Sequence, residues 1–345
     1  MTTEQPNSPQ GYKTPVGILG VGHFLPEEIL TNADLAKFVD TTDEWIVGRT
    51  GIRARRRAAP DQATSDLAVA AARRALEAAK TSPQELDLII VATMTPDCPM
   101  PATSSIVQHQ LGAMQAGGFD LNIACSGFVY ALITGSQFIA SGTFQRVLVV
   151  GADVMTRFMN WQDRTTCVLF GDGAGAVVLG PVAPGYGLLG VHLGINGAGG
   201  TNLTINAGGS RLPSWSDNIQ RQDYYLQMVG PEVFRFAVQV MGEAALKALH
   251  SANLTPEQVT LFIPHQANAR IIEAARKRLG LPLDRVFSNV EHYGNTSCGS
   301  VPLALSEACQ QDRIHDDDLV VLVGFGGGLS WGSAAIRWGG LLKES

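Results

Sequence analysis

The sequence has 345 residues, a net charge of −6, 16% charged and 45% hydrophobic residues, and 38 glycines. This composition suits a packed α/β protein of about two domains and excludes a disordered or fibrous chain. The negative balance argues against a general nucleic-acid binder, and no apolar run reaches the roughly 18 to 20 residues that span a bilayer.

The opening MTTEQPNSPQ is polar and lacks the basic and apolar regions of a secretory signal. Residues 15 to 26 read as a strand and turn, followed by a helix starting near Asn32. In the segment 41 to 59, Trp45 and Arg49 precede Arg53, Arg55, Arg56 and Arg57. A flat indole beside guanidinium groups suits a nucleotide, with stacking on the base and pairing to phosphate; a solvated basic face is the competing reading. The proline-rich loop 95 to 103 contains Met100 and leads to a helix from about Ser104 to Leu111.

The stretch from Gly118 to Gly142 organises the chain. Phe119, Leu121 and Ile123 alternate with polar residues as in a strand, and after Ser126-Gly127 apolar residues recur at three- and four-residue steps as in a buried helix. Cys125 falls at that helix N-terminus, where backbone N–H groups favour an anion, so its thiol pKa is expected to fall and the thiol to act as a nucleophile. A buried, gap-filling cysteine is the alternative. None of the other cysteines, Cys98, Cys167, Cys298 and Cys309, forms a C-x-x-C pair, which fits reduced thiols in the cytoplasm. The seven histidines show no metal-ligand spacing, so no catalytic metal is expected.

Residues 160 to 180 read as two strands joined at Gly171 to Gly175, and residues 194 to 230 as loops over a cleft. A helix is predicted over 229 to 250, with Pro231 in its first turn. A strand then ends at Pro264, presents His265, and gives way to a helix bearing Arg270, Arg276, Lys277 and Arg278. Asn295 follows in a Gly-Asn-Thr-Ser turn, and Gly326 to Gly328 separate two final strands, where bare backbone can bring N–H groups close to a reacting atom.

Residues 71 to 90 resemble residues 244 to 263, with eight of 20 positions identical at an offset of 173. The same offset lays RVLVVG over LVVLVG and LNIACSG over GNTSCGS. Two similar α/β halves are expected, residues 1–183 and 184–345, with Cys125 and Asn295 facing each other near a pseudo-twofold axis and Cys298 serving as packing.

In this order ACSG, PHQAN, GNTS and GFGGG resemble the thiolase-like condensing enzymes, nearest to the β-ketoacyl-[acyl-carrier-protein] synthase III family. The resemblance covers nearly the whole chain. It implies a five-layered αβαβα fold from two similar halves, a homodimer, and no cofactor, acyl-CoA being a substrate. It further implies a decarboxylative condensation of an acyl-CoA primer with malonyl-acyl carrier protein that begins fatty-acid biosynthesis. By the resemblance, Cys125 is the acylated nucleophile, His265 and Asn295 complete the catalytic set, and the N–H groups of Cys125 and Gly327 hold the oxyanion. Trp45, Arg49, Arg164, Phe234 and Asn268 match CoA contacts, and Arg270 a carrier-protein contact. Met100 stands where a partner-subunit phenylalanine closes the acyl pocket. Ser126, Pro231 and Met100 depart from the family pattern. A synthase III-like acyltransferase or condensing enzyme of a secondary-metabolite pathway is the alternative.

Overall fold

A computed structural model describes residues 14–342, so the opening MTTEQPNSPQ lies outside the described residues. The first half contains β1 (Val16–Phe24), β2 (Glu28–Thr31), α1 (Asn32–Leu35), α2 (Asp43–Thr50), β3 (Ala54–Arg57), α3 (Thr64–Ala78) and β4 (Leu88–Ala92). It continues with α4 (Thr103–Leu111), β5 (Gly117–Leu121), α5 (Gly127–Ala140), β6 (Val147–Val154) and β7 (Asp172–Pro181). The second contains β8 (Gly187–Ile195), β9 (Leu203–Thr204), β10 (Gln227–Met228), α6 (Gly230–Ser251), β11 (Leu261–Pro264) and α7 (Ala269–Leu279). It ends with α8 (Val290–Tyr293), α9 (Ser300–Gln310), β12 (Leu319–Gly326) and β13 (Ser330–Arg337).

Two large sheets form, ordered β1-β7-β6-β4-β5 and β11-β12-β13-β8, and β2 with β3 and β9 with β10 make two-stranded sheets of their own. Strands β4 and β6 pair in parallel, as do β11 and β12; β7 and β13 then run antiparallel to β6 and β12. The strands of β4, β6, β11 and β12 are apolar on both faces because helices cover both sides. Helices α5 and α9 lie between the sheets, α3 and α4 cover the outer face of the first, and α6 and α7 cover that of the second. The expected five layers are therefore present. Helix α5 buries Phe128, Val129, Leu132, Ile133 and Ile139 on one broad face, while the opposite stripe of Tyr130, Thr134 and Gln137 is half-buried.

The offset of 173 also recurs in the contacts between halves. A Cβ on Gly151 would lie 2.2 Å from the Cys298 carbonyl oxygen, and one on its counterpart Gly324 would lie 3.0 Å from Ser126 Cα. Each glycine lets the turn that opens the other half's central helix rest directly on its strand.

The segment 160 to 180 is not two strands. Residues 160 to 171 wind through turns, with only Phe170 bridging to Asn295, and a single strand starts at Asp172. Gly173 and Gly175 lie within that strand: a Cβ on Gly175 would meet the Leu303 nitrogen at 2.5 Å, so glycine here admits α9 rather than making a turn.

Candidate active site

The nucleophile turn follows β5. Ala124 takes left-handed backbone, φ 48°, and starts a single 3-10 turn, Ala124–Ser126, that leads into α5. Cys125 on this turn is 5% exposed. A Cβ on Gly326 would stand 2.6 Å from the Cys125 nitrogen, so only glycine lets the end of β12 approach it. Ser126, where alanine is common in the resembling family, bonds to Ser330 at 2.7 Å, and Ser330 donates to the Gly327 carbonyl at 2.8 Å. The nucleophile turn and the glycine loop are thereby tied together.

His265 caps β11, its N–H bound to the Val323 carbonyl at 2.7 Å. The ring is 1% exposed, stands edge-on to Phe325 with centroids 5.1 Å apart, and engages the Ser300 hydroxyl through Nδ1 at 2.5 Å. Asn295 is held by its own backbone: its N–H donates to the Leu169 carbonyl at 2.8 Å and its carbonyl accepts from Gly171 at 3.0 Å. Its side-chain Oδ1 accepts the Ser297 N–H at 2.8 Å, which turns the amide's Nδ2 donors outward.

Cys125, His265 and Asn295 line one cavity of about 130 Å³, with Phe170, Phe325 and Gly326 around them. Phe234 and Asn268 line the same cavity. Burial pushes the Cys125 thiol up to about 12, against a smaller opposing effect of the Ser297 hydroxyl, 3.4 Å from Sγ. The lowered pKa expected from the helix N-terminus is therefore corrected: desolvation of a thiolate in this closed pocket outweighs the partial charge of the turn. Burial likewise lowers His265 to about 3, so the imidazole stays neutral.

Of the other expected site residues, Trp45, Arg49 and Arg164 cluster together and are linked through Asn268 to this cavity. Trp45 and Arg49 lie on α2, with the Arg49 guanidinium 4.3 Å and that of Arg164 5.0 Å from the indole centroid. Arg164 also donates to the Asp40 carbonyl at 2.8 Å. Asn268 caps α7 and donates to the Arg49 carbonyl at 3.0 Å, joining the aromatic platform to the cavity. Arg270 sits over the Phe234 ring at 5.3 Å. Met100 is not brought to the cavity; it is 85% exposed in the loop before α4. Among the described residues, no group of three or more His, Cys, Asp and Glu side chains could hold a metal ion, and no helix is long and apolar enough to cross a membrane.

Sequence reasoning quoted GNTSCGS and PHQAN but gave no task to Ser297, Ser300 or Gln266. Their position beside Cys125, His265 and the Asn295 segment shows only in three dimensions, because each reaches a residue on another element.

The chain is similar to known proteins in both sequence and fold. The family described as 3-oxoacyl-[acyl-carrier-protein (ACP)] synthase III matches residues 119–197, and its C-terminal counterpart matches residues 249–338. The chain is 53% identical over 326 residues to a β-ketoacyl-[acyl-carrier-protein] synthase III of Caldanaerobacter subterraneus, covering 94% of this chain and 98% of the relative. The crystal structure of a β-ketoacyl-[acyl carrier protein] synthase III from Thermus thermophilus superimposes with a TM-score of 0.89 at 48% identity, covering 94% of this chain and 100% of the other. That of a 3-oxoacyl-[acyl-carrier-protein] synthase III from Aquifex aeolicus does so with a TM-score of 0.87 at 43% identity, with the same coverage.

Proposed function

This chain belongs to the 3-oxoacyl-[acyl-carrier-protein] synthase III family, and we propose that it joins an acyl-CoA primer to malonyl-acyl carrier protein by decarboxylative condensation. The observation that carries the reading is the convergence of Cys125, His265 and Asn295 on one small cavity. Sulfur of Cys125 attacks the acyl-CoA thioester carbon, the C–S bond to CoA breaks, and the thiol proton leaves with the CoA sulfur. Malonyl thioester then enters; its C–C bond to the carboxylate breaks, CO2 departs, and the electron pair becomes an enolate.

Neutral His265 and the Asn295 Nδ2 group donate hydrogen bonds to the enolate oxygen, in a pocket dry enough to make them strong. The enolate carbon attacks the acyl carbon, the C–S bond to Cys125 breaks to give a β-ketoacyl thioester, and the released sulfur takes up one proton from solvent to restore the thiol. Backbone N–H groups of Cys125 and Gly327 hold the oxyanion formed at each acyl step; the close approach of Gly326 to the Cys125 nitrogen supports this pairing. The scheme calls on no cofactor, since thiol, imidazole, amide and backbone supply the nucleophile and the hydrogen bonds, and solvent supplies the one proton taken up.

Trp45, Arg49 and Arg164 hold the nucleotide end of CoA, whose pantetheine arm passes Asn268 and Phe234. Arg270 meets the acidic carrier protein, with Lys277 and Arg278 on the same helix adding positive charge. Such an enzyme acts in the cytoplasm as a homodimer. Five free cysteines support the first. The outer edge of β5 and the exposed Met100 and Met114 support the second, Met100 closing the partner's acyl pocket. The acyltransferase alternative is not favoured, because transfer to oxygen or nitrogen needs no enolate donors, whereas both are buried here beside the nucleophile.

The test is intact-protein mass spectrometry after mixing with a panel of acyl-CoAs, then addition of malonyl-carrier protein. Acyl mass on Cys125 that disappears with CO2 release and a two-carbon-longer product supports the reading. Acylation that persists without CO2 release overturns it.

A further inference from the structure

The buried side chain beside His265 has a full set of hydrogen bonds that bears on Asn295. Gln266 is 1% exposed. Its Nε2 donates to the Pro264 carbonyl at 2.6 Å and the Phe287 carbonyl at 3.3 Å. Its Oε1 accepts the N–H groups of Asn289 and Val290 at 3.0 and 3.2 Å. Two donors and two acceptor positions are thus all used on main chain, which neither a carboxylate nor an aliphatic side chain could reproduce.

The four bonds join two places. Pro264 immediately precedes His265, whereas Asn289 and Val290 open α8, the single helical turn that ends at Gly294 and delivers Asn295. The far side of that segment is anchored separately, by the backbone pairing of Asn295 with Leu169 and Gly171. Cys125 lies on a different turn and receives none of these bonds. We infer that Gln266 is a positioning residue that fixes the spacing between the His265 and Asn295 donors, so that decarboxylation depends on it while acylation of Cys125 does not. The inference rests on the roles proposed above for those two residues. A misplacement of about 1 Å between catalytic groups can cost on the order of 100-fold in rate.

The experiment measures two steps separately in wild type, Gln266→Ala, Gln266→Glu, Asn295→Ala and the Gln266→Ala/Asn295→Ala double variant. Acetyl-CoA reports Cys125 acylation and malonyl-carrier protein reports CO2 release. Gln266→Ala is expected to acylate within about twofold of wild type and to release CO2 roughly 100-fold more slowly. In the Asn295→Ala background the same change is expected to add less than about threefold, since the residue acts through a group already removed. Gln266→Glu keeps the acceptors and serves if the alanine variant does not fold; it too should lose CO2 release selectively. Equal losses in both steps, or a Gln266 effect that multiplies undiminished with Asn295→Ala, overturns the assignment. Normal CO2 release by Asn295→Ala overturns the proposed catalytic roles themselves, a result distinct from a wild-type Gln266→Ala.

Discussion

Ala124 and Ser297, 173 positions apart, both hold left-handed backbone, at φ 48° and 50°, immediately before Cys125 and Cys298. Left-handed backbone is costly for a side chain with a Cβ, yet both halves keep it at the same place. It turns the chain sharply into a central helix in both halves, from the end of β5 in the first and from the segment after α8 in the second. Cys298 sits in the second turn with its Sγ on the Ala124 carbonyl at 3.0 Å, against the base of the first. One half thus presents a nucleophile, and the other, from the matching turn, presents Asn295 and Ser297.

Cys125→Ala should abolish acylation. His265→Ala and Asn295→Ala should still acylate but release CO2 more slowly by about 100- to 1,000-fold each, the usual cost of one oxyanion-type donor. Separate assays of acyl mass and CO2 check this, and an acylation defect with normal decarboxylation would reverse the assigned roles.

The buried imidazole predicts a pH signature. Above its ordinary value of 6.5 His265 is neutral whether folded or unfolded, but between 6.5 and about 3 only the unfolded chain binds the proton. Stability from this group therefore falls as pH drops through that window, by up to about 1.4 kcal/mol per pH unit. Asp172, raised to about 6 by burial, acts in the opposite sense between its ordinary 3.8 and 6. Denaturant unfolding of wild type and His265→Asn at several pH values isolates the histidine, and parallel curves would refute its low pKa. CO2 release should likewise show no histidine limb near pH 6.5.

Binding at the approach should separate by substrate. Trp45→Ala should raise KM for acyl-CoA about tenfold, equivalent to about 1.4 kcal/mol, with little change for carrier-protein substrate. Arg270→Glu should raise KM for malonyl-carrier protein, and added salt should narrow its gap from wild type. Steady-state kinetics at two ionic strengths decide both, and a salt-independent Arg270 effect would remove it from the docking surface.

The matched glycines should respond unequally to a methyl group. Gly151→Ala places its Cβ against a backbone carbonyl and should destabilise by roughly 3 kcal/mol or more, whereas Gly324→Ala meets its nearest atom at 3.0 Å and should cost about 1 to 2 kcal/mol. Thermal unfolding would contradict this packing if the order were reversed.

The sequence by itself carried the repeat at an offset of 173, the strand-to-helix placement of Cys125, and the motifs bearing His265 and Asn295. These are local patterns, written in residue period and spacing. Tertiary structure decided the state of the Cys125 thiol, because the turn's favourable partial charge is visible locally while desolvation depends on what closes over it. It also decided that Gly173 and Gly175 continue a strand, since the reason is the approach of α9 from the other half. Ser297, Ser300 and Gln266 gained their tasks in the same way. Ser297 and Ser300 act on groups brought to them by the packing of the two halves around α5 and α9, and Gln266 on a segment more than 20 residues further along the chain.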